Sequence, residues 1–356
     1  MPSVRQAAAP VPGAEVGRPV SGAARATGDG ASGPVANLET LLSDPTVTAI
    51  VIAGGGSVQV ERAGKMEPAR TVSDQNALAE TVWQLANTAA PPPPADNPVV
   101  DVRLLDGTRV TALFPPVSPG TVSATLRKAT TPELPLSELA GNADVEKILT
   151  AALASRRNLL LCGDAPACTA LAGALAGALP ADRRVVSIGV GAKSRPGWIE
   201  LALAADPAAL VRAAVAFRAD HLLVADAGGA ELPELLLAAA RGQEGVVGMM
   251  AARSSFEALA RLRAFSAGVV GAAGFASLVA SSIDLLVLAA TTPGGGIRVV
   301  EMAEPQADGE ELLPAFVARR SERNRNAGVD ISGVSTRLAT AIAVVTDGLP
   351  AHLIHR

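Results

Sequence analysis

From residue 143 onward the sequence switches repeatedly between helical and strand periods, and this alternation narrows the fold more than any other feature. The spacing predicts a helix over about 143–155, then the strand Asn158–Cys162. A helix over about 167–179 and the strand Arg184–Ile188 follow. Next come a helix from Pro207 to about Phe217, the strand His221–Ala225, a helix over about 229–241 and the strand Val246–Met250. Two more helices and the strand Asp284–Leu288 complete the series. The strands are short, nearly continuous apolar runs, as expected of strands covered on both faces. Strands that alternate with helices imply a mainly parallel sheet, an α/β fold.

The first of these strands leads through Gly163 into an Ala/Leu-rich helix. A phosphate-binding P-loop occupies this strand–loop–helix context, with the pattern GxxxxGK[ST]. Here Gly163 is followed by Asp164, Ala165, Pro166, Ala167, Cys168 and Thr169. The Lys and the second Gly are missing, and Thr169 comes one residue early. A phosphate cradle works through converging backbone N–H groups and a cation. Pro166 removes one N–H, and Asp164 adds a negative charge where a polyphosphate would lie.

The 356 residues are enough for two domains with real cores. Residues 1–36, rich in Ala, Gly and Pro, read as a disordered tail. Order is expected to start at Asn37 as a helix N-cap. Strands Thr48–Ile52 and Ser57–Glu61 flank Gly54–Gly56, and Ser73 can cap a helix carrying Leu78, Val82, Trp83 and Leu85. Pro91–Pro94 break that helix. A hairpin about Asp106-Gly107 and the strand Thr121–Arg127 then complete a smaller α+β domain, 37–130. A linker over 129–135, with Pro132 and Pro135, opens the second domain, 131–356.

Composition removes several function classes. Aromatic residues make up 2% and Tyr is absent, which leaves almost no base-stacking platform. The net charge of −4 argues against nucleic acid as a partner. Cys162 and Cys168 fit a reducing compartment better than a disulfide framework. His221, His352 and His355 form no zinc spacing with the cysteines or carboxylates, so no metal centre is expected. The N-terminus lacks an apolar core of the signal-peptide kind. The most apolar run, Ser266–Ala290, reads as a buried helix and strand rather than a membrane span.

Several segments together resemble the CpaF-type (Tad) pilus-assembly ATPases of the type II/IV secretion superfamily. The stretch Asp101–Ala112 is similar to that family's "DxRLPDGSRVNA", and Leu126-Arg127-Lys128 to its "IRKF". Phe217–Val224 is similar to its "MRPDRIIVGE" strand, Ser282–Val287 to "AVDLIV", and Gly328–Leu349 to its short C-terminal cap. Arg241–Gly245 stands where the family has "TGHDG". The resemblance implies a RecA-like, P-loop-NTPase-type C-terminal domain, a hexameric ring and a place at the cytoplasmic face of the inner membrane. It also marks the departures. The family's acidic pair aligns with Gly189-Val190, its Walker B "GE" with Ala225-Asp226, the following Arg with Gly228, and its His box with Met250-Ala251-Ala252.

The resemblance therefore implies a vestigial nucleotide site of Gly163, Asp164, Cys168, Thr169, Arg103, Arg109 and Arg127. Its catalytic positions Gly189, Asp226, Gly228 and Ala251 are degenerate. No cofactor is expected, with ATP and magnesium only if residual binding survives. Asp226 is a weak candidate metal ligand, against the plainer reading of a capping carboxylate. Arg103, Arg109 and Arg127 either face a nucleotide, partly across a subunit boundary, or form hairpin salt bridges. Cys162 and Cys168 read as small buried residues, against a reactive thiol at the helix N-terminus, and His221 as an exposed strand start. Arg319, Arg320, Arg323 and Arg325 read as a solvated linker, against an acidic-lipid or partner contact. The leading expectation is a non-catalytic structural or regulatory ring component, alone or with an active CpaF-type subunit and inner-membrane platform proteins. A divergent ATPase and a stand-alone interaction module are the alternatives.

Overall fold

The computed structural model describes residues 34–62, 65–71, 74–89, 92–104, 106–128, 134–190, 196–201, 206–225, 229, 231–271, 273–292, 295–320 and 329–355. Asp226, Gly228, Arg323 and Arg325 lie outside the described residues, as do Ser73, residues 1–33 and most of the expected linker.

The N-terminal part holds α1 (Pro34–Ser43), β1 (Val47–Ala53), β2 (Ser57–Arg62), β3 (Lys65–Thr71) and α2 (Gln75–Ala86). β4 (Val99–Arg103), β5 (Arg109–Leu113) and β6 (Ser123–Arg127) follow. Its six strands form one antiparallel sheet in the order β3-β2-β1-β6-β5-β4. Along β5 the burial alternates, with Val110 and Ala112 inside and Arg109 and Thr111 outside. One face therefore packs on the helices and the other meets water, as antiparallel sheets allow. Leu78, Val82, Ile50, Val60 and Leu126 form that core, and Trp83 meets Phe114 edge-on at 5.3 Å.

The C-terminal part begins with α3 (Leu136–Ala140), α4 (Ala143–Ala154), β7 (Leu159–Gly163), α5 (Ala165–Ala178), β8 (Val185–Ile188) and β9 (Trp198–Leu201). It continues with α6 (Pro207–Ala216), β10 (His221–Val224), α7 (Glu231–Ala240), β11 (Val246–Ala251), α8 (Ser255–Ser266), α9 (Phe275–Ser282) and β12 (Leu285–Thr291). Last come β13 (Ile297–Asp308), β14 (Glu311–Arg320), β15 (Val329–Ile331), α10 (Thr336–Ala343) and a 3-10 turn (Ala351–Leu353). The nine-stranded sheet runs β15-β14-β13-β12-β7-β11-β10-β8-β9. The strands from β12 to β9 are parallel, and β13–β15 add an antiparallel edge.

Central β7 shows why its sequence is a continuous apolar run. Leu159 and Leu161 join the core under α4, α5 and α10, while Leu160 and Cys162 join the core under α6–α9. Helices therefore cover both faces. α5 buries eight of its residues, five of them Ala, and such small side chains let it lie close against the sheet.

Several expectations change. Helix α1 starts at Pro34, so residues 34–36 are helical rather than tail and Asn37 lies inside the helix. Asp74, not Ser73, caps α2 by accepting from the Ala77 N–H. β6 starts at Ser123 rather than Thr121. Strands β3, β9 and β13–β15 are additions. β3 carries Pro68 and charged residues, which suit its place at a sheet edge. In β13 and β14, Pro305 and Pro314 stand opposite each other in the ladder. Arg319 and Arg320 end β14 rather than forming a linker. Arg319 stacks 4.6 Å over Phe316 and pairs with Glu301 at 3.6 Å.

Candidate functional site

The site lies where β7 passes into α5, at the C-terminal edge of the parallel strands. Strand and helix are joined by a single residue, Asp164. Gly163 closes the strand with φ +150°, in register with Ala251 on one side and Ala289 on the other. A Cβ at Gly163 would stand 2.1 Å from the Ala289 carbonyl oxygen, so only glycine fits.

Asp164 has the extended backbone of an N-cap, and its carboxylate folds over the start of α5. Oδ1 accepts from the Ala167 N–H at 2.9 Å and from the Thr291 hydroxyl at 3.0 Å. Oδ2 accepts from the Thr291 N–H at 3.0 Å. A helix N-terminus attracts an anion through its free N–H groups and dipole, and here a side chain of the same chain supplies that anion. Pro166 in the first turn offers no N–H. The Thr169 hydroxyl donates to the Ala165 carbonyl at 2.8 Å, within its own helix. Cys168 is buried, with its sulfur 3.8 Å from the Met250 carbonyl oxygen. Cys162 is buried as well, and burial holds its thiol pKa well above the ordinary value, which makes it a poor nucleophile. Both cysteines are free.

Among the described residues, the ends of β8 and β11 carry no acid–base group. The Gly189 N–H donates to the Leu201 carbonyl at 3.0 Å, and Val190 enters the core. Ala251 ends β11, and its carbonyl accepts from Arg261 at 2.8 Å. Met250 and Ala252 are buried. No group of His, Cys, Asp and Glu among the described residues could hold a metal ion.

The three arginines separate. Arg103, Arg109 and Arg127 stand in one cross-strand row over β4, β5 and β6. Arg103 reaches the other sheet, donating to the Gly189 carbonyl at 3.2 Å. Arg109 makes a two-pronged bond to Asp101 at 2.9 and 2.8 Å, and those bonds lower the Asp101 pKa. Arg109 thus takes the hairpin salt-bridge role. Arg127 is exposed. The structure thereby brings Gly163, Asp164, Cys168, Thr169 and Ala251 together, ties Arg103 to Gly189, and leaves Arg109 and Arg127 on the outer sheet.

His221 departs from its expected exposure. It is 1% exposed, and neither ring nitrogen has a hydrogen-bond partner among the described residues. Two residues escaped the sequence reading. Thr291, the partner of Asp164, ends an apolar strand and has no motif around it. Glu231, buried at the start of α7, accepts from the Gly229 N–H at 2.9 Å. Only its place just after the strand of the Walker B position could have flagged it.

The group that this fold commonly holds, a magnesium nucleotide, does not fit these residues. The P-loop cation is missing, a carboxylate covers the helix terminus, and the Thr169 hydroxyl is spent on its own helix. Phosphoryl transfer depends on positioning and neutralising charge, and this strand–helix junction offers neither.

No protein-family model matches the chain. A Mycobacterium tuberculosis protein named for conjugal transfer, found in strains H37Rv and CDC 1551, is 29% identical over 295 residues. The match covers 75% of this chain and 83% of that protein. Among solved structures, the Legionella pneumophila ATPase DotB superposes with a TM-score of 0.53 at 17% identity, covering 76% of this chain and 81% of that one. The pilus retraction motor PilT, solved with ADP, superposes with a TM-score of 0.51 at 14% identity, covering 82% and 84%. The chain has the α/β fold of the ATPase DotB and the pilus retraction motor PilT, with a smaller N-terminal α+β domain.

Proposed function

We propose that this chain is a non-catalytic structural or regulatory member of a type II/IV secretion assembly of the Tad-pilus kind. It would sit in a ring at the cytoplasmic face of the inner membrane, by itself or beside an active CpaF-type subunit. The observation that carries this reading is the Asp164 carboxylate, bonded to the Ala167 and Thr291 N–H groups at the helix terminus where a phosphate would bind. The relative named for conjugal transfer supports a role in macromolecular export. The Arg103–Gly189 bond supports a scaffold role, because it joins the two sheets through the chain's own atoms.

Titration calorimetry with magnesium ATP tests the reading. No binding heat and no phosphate release are expected. Binding in the low micromolar range, or turnover that Asp226→Ala abolishes, would overturn it. Copurification with an active homologue would identify the assembly.

A further inference from the structure

At the opposite edge of the same sheet, the helix-to-strand loops before β7, β8, β10 and β11 carry six arginines. They are Arg156, Arg157, Arg183, Arg184, Arg218 and Arg241. The carboxylates in these loops are Asp182, Asp220 and Glu244. Asp220 lies 3.7 Å from Arg156 and 3.8 Å from Arg184, and Glu244 lies 2.6 Å from Arg156 and 3.6 Å from Arg157. Two carboxylates are thus each shared by two arginines, and the edge keeps a positive excess on a chain whose net charge is −4.

A cation beyond a helix C-terminus is favourable by itself, since it complements the helix dipole. That accounts for a basic residue per loop but not for the backbone. The non-glycine residues with positive φ among the described residues are Arg156, at 54°, and Arg218, at 50°. Both follow the C-cap of a helix, Ser155 of α4 and Phe217 of α6, a position that glycine fills without strain. Arg156 is held by its ion pairs. The Arg218 guanidinium makes no hydrogen bond or ion pair among the described residues, and neither does that of Arg241. Beside Arg218, Phe217 is 50% exposed. Among the described residues nothing pairs this strained cation beside an exposed aromatic ring, and strain of this kind points to an external contact.

We infer that this edge is a docking surface for an anionic phospholipid membrane. The strands are spaced about 4.8 Å apart, so loops from four adjacent strands spread the charges over about 15 Å. That spread suits an array of headgroup phosphates better than one phosphate. Phe217 is placed to enter the headgroup boundary, where aromatic rings are favoured. The inference rests on the proposed membrane-proximal location but not on the loss of ATP binding, so the vesicle and calorimetric tests fail separately.

The full chain is mixed with vesicles of phosphatidylcholine containing one third phosphatidylglycerol, and with vesicles of phosphatidylcholine alone, then floated through a density gradient. Binding to the anionic vesicles only, released by high salt, is expected. Removing a cationic charge should weaken binding about fivefold at low salt. Arg218→Gly is the decisive variant, because it relieves the backbone. It should hold or raise the melting temperature while weakening vesicle binding, which a purely structural arginine would not do. The Arg218→Glu, Arg241→Glu double variant should abolish flotation, and Arg218→Lys with Arg241→Lys should keep it. Equal binding to neutral vesicles, binding unchanged in the Glu variants, or retention on polyglutamate without flotation would overturn the inference.

Discussion

The carboxylate of Asp164 and the end-of-strand residue Thr291 form a two-point lock, with the Thr291 N–H on one oxygen and its hydroxyl on the other, both at 3.0 Å. The partners are 127 residues apart in the chain and adjacent in space, because β7 and β12 run parallel side by side. The same carboxylate caps α5, so one side chain joins the start of a helix to the end of a neighbouring strand.

Asp164→Ala removes an N-cap and both Thr291 bonds. A loss of about 2 kcal/mol is expected in urea unfolding, combining the usual cap with a charge-assisted hydrogen bond. Thr291→Val should cost about 1 kcal/mol. The double variant should cost less than the sum, since both substitutions delete the same contact. Strict additivity would show that the hydroxyl arm of the lock carries no energy.

Gly163→Ala forces a Cβ to 2.1 Å from the Ala289 carbonyl oxygen at a φ that side chains rarely adopt. The backbone on both strands would have to shift. A loss of about 4 kcal/mol is expected, read as a large drop in the denaturation midpoint or as insoluble expression. A variant as stable as the parent would contradict the geometry.

His221 makes stability depend on pH. Burial, and next the nearby Arg183 charge, lower its pKa from 6.5 to about 4. Between those values the unfolded chain binds the proton more readily than the folded one, so stability rises with pH. The contribution is present in full above about pH 6.5 and is lost as the pH falls toward 4. Two to three pH units correspond to about 3 kcal/mol. Urea titrations across this range should show the slope, and His221→Gln should flatten it.

Glu304, 3% exposed, holds the start of α10. Its oxygens accept from the Ser335 N–H and hydroxyl, each at 2.6 Å, and Arg337 lies 3.7 Å away. Glu304→Ala leaves those donors without their acceptor, so a loss of about 3 kcal/mol is expected. Hydrogen exchange should locate the early loss of protection in α10. Uniform weakening over the whole sheet would speak against this local role.

The parallel strands were legible because burial on both faces demands apolar runs, as at Leu159–Cys162. The hairpin β4–β5 was legible from Asp106-Gly107, where the Asp106 carboxylate accepts from the Thr108 N–H at 2.9 Å. The β13–β14 hairpin was hidden because Glu301, Glu304, Pro305 and Pro314 interrupt its pattern. Those residues make sense only beside their partners, Glu301 with the Ser255 N–H at 2.8 Å and Pro305 opposite Pro314.

The sequence by itself determined the layered α/β architecture, since local period and turn chemistry follow from residue order. It also determined that the junction after Leu161 lacks the P-loop Lys. Tertiary structure alone decided what replaces the missing loop. The Asp164 carboxylate could have pointed into open solvent, and it lies instead across the start of α5 and the end of β12 because Thr291 presents two donors there. The burial of His221 between neighbouring strands was decided in the same way. These contacts join residues far apart in the chain, and their energies depend on distances that no local pattern encodes.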